Sequence, residues 1–192
     1  KKDFSNLGKI GTHIRNDFAK VELPSVIKEA IKLGHDSLIK KYGKGVSLAV
    51  RSSATAEDLP KASFAGQQES YLNVKGLEAL ITACKKCYAS LFTDRAIKYR
   101  EDNGFDHTKV ALSIGVQLMV RSDLACSGVN FTLDPDSGFN NVVLVSGVWG
   151  LGENIVQGTI NPDEFFVFKP SLKRDIKQPI ISRKLGSKEK TM

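Results

Sequence analysis

No stretch of the sequence stays apolar for the roughly 18–20 residues that a membrane-crossing helix needs, so a membrane-spanning chain is not expected. Cysteine is scarce. The three present, Cys84, Cys87 and Cys126, are odd in number and irregularly spaced, which suits a reducing cytoplasm and excludes a disulfide framework. Cys84-Lys85-Lys86-Cys87 has the C-x-x-C form, but it lies inside a helical pattern and no second pair follows. His13, His35 and His107 are scattered. Buried thiols are therefore expected, and no metal ligands within this chain. The common nucleotide fingerprints are missing too, both the P-loop G-x-x-x-x-G-K-[ST] and the dinucleotide G-x-G-x-x-G. So are the nucleophile elbow G-x-S-x-G and the zinc motif H-E-x-x-H. The chain opens on Lys1-Lys2-Asp3-Phe4, with neither a Met nor the apolar core of a signal peptide, and reads as a piece of something longer.

What is present is ordinary for a globular chain: 41% apolar and 26% charged residues, enough for one domain or two small lobes. The net charge of +7 is uneven. Eight basic and two acidic residues lie between Lys169 and Met192, leaving the remainder close to neutral. The basic character belongs to a tail, and neither a nucleic-acid nor a membrane partner is expected. Asn130-Phe131-Thr132 matches a glycosylation sequon but falls in a strand pattern without a secretion signal.

The fold class expected is α+β, helical first and largely antiparallel sheet later. Leu7, Ile10, Ile14, Phe18 and Val21 form one helical stripe, and Pro24 opens a second carried by Ile27, Ala30, Ile31, Gly34 and Leu38. A short strand, 46–50, ends in the small polar run Arg51-Ser52-Ser53-Ala54-Thr55. One long helix is expected from about Leu77 to Arg100. The clearest strand is 110–120, where Val110, Leu112, Ile114, Val116, Leu118 and Val120 share one parity. Further strands are expected at 69–74, 129–133, 142–145 and 165–168. The organisation expected is a helical segment over 1–45, a core over 46–169 and a basic strand or linker remnant over 170–192, unpaired within this chain.

Three stretches could carry chemistry. Arg51 sits where a strand ends, before small hydroxylated residues, and its forked donors match phosphate oxygens. The structural alternative is that Thr55-Ala56-Glu57-Asp58 is a helix capping box. Ser63-Phe64-Ala65-Gly66-Gln67 surrounds a glycine with small residues and could let backbone approach a ligand, or be a plain turn into the next strand. Gln117, Met119 and Val120 close the long strand, where an edge can read adenine through its backbone and apolar side chains can pack the ring. A Met there also suits plain core.

Taken together, Val50-Arg-Ser-Ser-Ala-Thr-Ala-Glu-Asp-Leu-Pro60 and Ala62-Ser-Phe-Ala-Gly-Gln-Gln68 resemble the signature of the pyruvate-phosphate dikinase N-terminal family. Ala89-Ser-Leu-Phe-Thr-Asp-Arg-Ala96, Val116-Gln-Leu-Met-Val120, Ser127-Gly-Val-Asn-Phe-Thr132 and Gly150-Leu-Gly-Glu-Asn154 extend the likeness. Val120-Arg-Ser-Asp123 and Asn161-Pro-Asp-Glu-Phe-Phe-Val-Phe-Lys169 resemble its phosphoenolpyruvate-forming branch, and rifamycin-type antibiotic phosphotransferases are the nearest rival. A reading of another class is a non-catalytic nucleotide-binding module. The resemblance implies an ATP-grasp fold with ATP held between two lobes. It implies phosphorylation of a histidine on a separate domain, which then serves a pyruvate-binding domain, so that ATP, pyruvate and water give AMP, phosphoenolpyruvate and phosphate. By motif, Arg51 would be catalytic and hold the ATP phosphates, Ser63, Phe64, Ala65, Gly66 and Gln67 would cover them, and Gln117, Met119 and Val120 would line the adenine. The family's Gly-Gly-Lys phosphate lysine and its Mg²⁺ carboxylate match nothing here, so this stretch alone is expected to lack turnover.

Overall fold

The computed structural model describes residues 5–55, 58–59, 62–63 and 69–189, and they fall into two compact units, Lys1–Met119 and Val120–Met192. Every strand pair among the described residues is antiparallel, and the helices come mainly first, as the α+β reading requires.

The first unit begins with α1 (Leu7–Lys20) and α2 (Ser25–Tyr42), the latter entered through Pro24 and left through Gly43 at φ 92°. Only part of each sequence stripe is used. Gly11 is buried on α1 and His35 on α2, while Ile10 and Val21 are exposed. Arg15 explains the first choice: its guanidinium donates to the Phe92 carbonyl at 2.6 Å and faces Asp94 at 3.5 Å. A Cβ on Gly11 would come within 2.9 Å of that same carbonyl, so the helix approaches through its glycine.

The sheet of this unit has β1 (Leu48–Ala54) between β4 (Ser70–Val74) and β5 (Leu112–Leu118); a two-residue hairpin, β2 (Asp58–Leu59) with β3 (Ala62–Ser63), lies apart. On one face Leu48 and Val50 pack with Leu80, Ala83, Cys84 and Cys87 of α3 (Leu77–Ala89), and Ile114, Val116 and Tyr71 close around them. The β1 strand runs through Arg51-Ser52-Ser53 instead of ending before it. Pairing with β5 along all three residues, and with β4 at Arg51, overrides the weak strand preference of serine. Asp58 lies in a strand, so the capping-box alternative fails. The register of β1 against β4 shifts by one residue between Leu48 and Val50. Asn73 takes up the bulge at φ 56°, its Oδ1 accepting from Ser47 Oγ.

The long helix expected over 77–100 is two. After α3 a 3-10 turn, Ser90–Phe92, leads to Thr93, whose hydroxyl accepts from Ala96 N–H and caps α4 (Asp94–Asp102). Arg100, 2% exposed, pins this junction by donating to the Leu91 carbonyl (2.6 Å) and His107 Nδ1 (2.8 Å).

The second unit is a four-stranded sheet in the order β6 (Cys126–Phe131), β7 (Val142–Trp149), β8 (Asp163–Phe168), β9 (Ile180–Lys184), with short helices α5 (Glu153–Val156) and α6 (Lys169–Lys173). Its strands differ from expectation in their bounds, with β8 starting at Asp163 and not at 165. The first is Cys126–Phe131, not 129–133, and β7 continues through Ser146-Gly147 to Trp149. The tail is not an unpaired remnant either: β9 pairs with β8, and Asp163 accepts from Gly186 N–H and Lys188 Nζ just beyond it. Lys169 Nζ grips the carbonyls of Thr132 and Asn140, tying the loop before β7 to the end of β8. No helix of the described residues is long and apolar enough to cross a membrane.

Candidate functional site

The α3-covered face of the first unit's sheet is core, which leaves the other face for a ligand that lies on the sheet. Side chains alternate along a strand, which puts Ala49, Arg51 and Ser53 of β1 on that other face, where Ala49 is buried and Arg51 and Ser53 are exposed. Arg51 pairs across to Gly115 of β5 and Ser70 of β4, and Ala49 to Gln117. Gln117 is thus a diagonal neighbour of Arg51, about 7–8 Å away by strand geometry. Both side chains are exposed, and Arg51 makes no ion pair or side-chain hydrogen bond among the described residues. An unengaged guanidinium amid serine, glycine and a primary amide suits an anion.

The end of β5 can be resolved further. Met119 N–H donates to the Ser47 carbonyl at 2.9 Å, and Thr55 N–H to the Ala111 carbonyl at 3.0 Å. In an antiparallel pair the hydrogen-bonded positions alternate, so the backbone of Gln117 and Met119 is committed to β1. Their side chains, not their backbone, face the open side. Leu118 has its N–H and C=O directed to the outer edge of β5, which carries no strand among the described residues. The parity of apolar residues in the sequence reports the core face and not which edge is open. Val120 opens the second unit with its side chain 82% exposed, and its carbonyl accepts from Ser122 N–H.

Ser63 pairs by backbone with Asp58 in the β2–β3 hairpin. Phe64, Ala65, Gly66 and Gln67 lie outside the described residues. A groove of about 340 Å³ at the β4 edge includes none of the expected site residues; its charged groups are already engaged, Arg15 with Asp94 and Glu69 with the Tyr71 hydroxyl.

The other motifs serve local structure. Arg121 makes a forked pair with Asp123, both bonds 2.8 Å, which raises the arginine and holds the Asp123 carboxyl below the usual range. In Gly150–Asn154, Gly150 turns at φ 72° with its carbonyl accepting from Ser127, and buried Asn154 accepts from Thr159 Oγ1 at 3.1 Å. Cys84 and Cys87 are buried, and burial pushes the Cys87 thiol up to about 12. No group of three or more His, Cys, Asp or Glu among the described residues is placed to hold a metal ion.

The fold thus offers an anion-suited sheet face in an α+β chain. The model of the family described as pyruvate phosphate dikinase, AMP/ATP-binding domain matches residues 1–192, and the chain belongs to that family. It is 55% identical over 191 residues to the phosphoenolpyruvate synthase of Synechocystis sp., covering 97% of this chain and 23% of that protein. The synthase of Helicobacter pylori is 57% identical over 170 residues (88% of this chain, 21% of the relative), and that of Aquifex aeolicus 52% over 191 residues (99% and 22%). The chain therefore spans less than a quarter of the length of these relatives.

Proposed function

We propose that this chain is the ATP-binding part of a phosphoenolpyruvate synthase, with an ATP-grasp fold. The observation that carries the reading is Arg51, exposed and unengaged among the described residues on an open sheet face beside Gln117, in a chain of the AMP/ATP-binding family. Arg51 holds the ATP phosphates and stabilises the charge that develops as the phosphoryl group leaves. Gln117 and Met119 contribute side chains to the adenosine end. The outer-edge backbone of Leu118, running on to Val120, supplies the N–H and C=O that read adenine. Ser63, Phe64, Ala65, Gly66 and Gln67 cover the phosphates.

The longer polypeptide passes the phosphoryl group from ATP to a histidine on another domain and then to pyruvate, giving AMP, phosphoenolpyruvate and phosphate with the consumption of water. Mg²⁺ would accompany the phosphates. By the family resemblance, its ligands and the phosphorylated histidine are assigned to other segments of the longer polypeptide. The test is Arg51→Ala in the full-length polypeptide, assayed for ATP-dependent labelling of the histidine. A fall of about 10²–10³-fold with an unchanged thermal melt is expected. Labelling at the parent rate would remove Arg51 from the site.

A further inference from the structure

Gly115 occupies the middle of β5 directly opposite Arg51, and it is exposed. Glycine weakens a strand interior, so its presence there calls for a reason. The backbone supplies none: its φ is not in the left-handed region. Packing supplies none either. Among the described residues, a Cβ built on Gly115 would meet only the Arg51 carbonyl oxygen, at 3.9 Å, an ordinary contact. Gly128 in the second unit shows what a required strand glycine looks like, since its Cβ would fall 2.0 Å from the Ser146 carbonyl oxygen. Gly115 is bare although the described residues around it leave room for a side chain.

We infer that Gly115 is a specificity-determining residue, kept bare so that the phosphate chain of a nucleoside triphosphate can lie against the sheet beside the Arg51 guanidinium. This rests on the reading of the Arg51 face as the nucleotide site. A side chain at 115 would stand on the same face as Arg51 and fill the space its ligand needs. The glycine thus acts by exclusion, and ligands without a phosphate chain should be indifferent to it.

The test uses the full-length polypeptide with Gly115→Ala, Gly115→Val and Arg51→Ala, each titrated with ATP and with adenosine and melted without ligand. The inference expects Gly115→Val to weaken ATP by about tenfold or more, Gly115→Ala by less, and adenosine by under about twofold. The melting temperature should hold or rise, because valine favours strands. A required structural glycine would instead lower the melt. ATP binding within about twofold of the parent in Gly115→Val overturns the inference, as does a lowered melt or an equal loss of adenosine affinity. If Arg51→Ala weakens ATP and Gly115→Val does not, only this inference falls. If Arg51→Ala also leaves ATP unaffected, the nucleotide reading of the face falls with it.

Discussion

Two glycines that face each other across β6 and β7 should respond oppositely to the same substitution. Gly128 and Gly147 are register partners, and neither has a positive φ. Adding a methyl to Gly128 places it 2.0 Å from the Ser146 carbonyl oxygen and 3.2 Å from its carbon, both of them backbone. Rotating a side chain cannot relieve this, so the strands must part by about 1 Å, roughly the shortfall from a normal C···O contact. Overpacking of this kind costs about 1–3 kcal/mol, and the ladder bonds it stretches place Gly128→Ala near the upper end, at about 3 kcal/mol. Among the described residues nothing lies within 4 Å of the Gly147 Cβ position, so Gly147→Ala should stabilise by roughly 0.5–1 kcal/mol through the unfolded chain. Trp149, the only tryptophan, lies two residues along β7 and reports on this sheet by fluorescence. With a urea slope of about 1–3 kcal/mol/M, the two midpoints should differ by roughly 2 M. Coincident midpoints, or a lower one for Gly147→Ala, would refute the packing argument.

Thiol titration of the native chain should find one fast group, Cys126, which is exposed, and three after denaturation; Cys84 and Cys87 are shielded by burial, which also raises both. Asp163 is held below the usual carboxylate range, first by its hydrogen bond from Lys188 and then by Gly186 N–H. Its folded pKa is the lower one, so its stabilising contribution is present above the unfolded value of about 3.9 and is lost as pH falls through the folded value. Asp163→Asn should therefore be less stable than the parent at neutral pH, and the two unfolding curves should converge under acid. Arg100→Met strips the donor from the Leu91 carbonyl and His107 Nδ1 and should cost about 2–4 kcal/mol in urea unfolding. Removing the unpartnered Nη1 offsets part of that loss.

Much of the fold was legible where one face of an element is buried. The alternation in β5 and the apolar stripe of α3 both point at the core cluster around Leu48 and Val50. Reading failed where tertiary partners decide. Arg51-Ser52-Ser53 looks like a strand end, yet β5 holds all three extended and β4 holds Arg51. The break between α3 and α4 rests on the Thr93 cap and on Arg100 folding back to Leu91, and helical periodicity runs through both. The basic tail looked unpaired because its charges, with Pro170 and Pro179, read as a linker, while its ladder partner β8 lies on the far side of α6. For the proposed site, motif likeness points to Arg51 and Gln117. Which β5 edge stays open, and the unneeded bareness of Gly115, depend on register, which sequence alone does not display.

The central claim is that the open sheet face around Arg51 binds the phosphates of ATP. Calorimetric titration of ATP into full-length protein, parent against Arg51→Ala, tests it most directly. The account predicts affinity weakened by about tenfold or more, with adenosine binding and the thermal melt unchanged. Equal ATP affinity in the two proteins would contradict it.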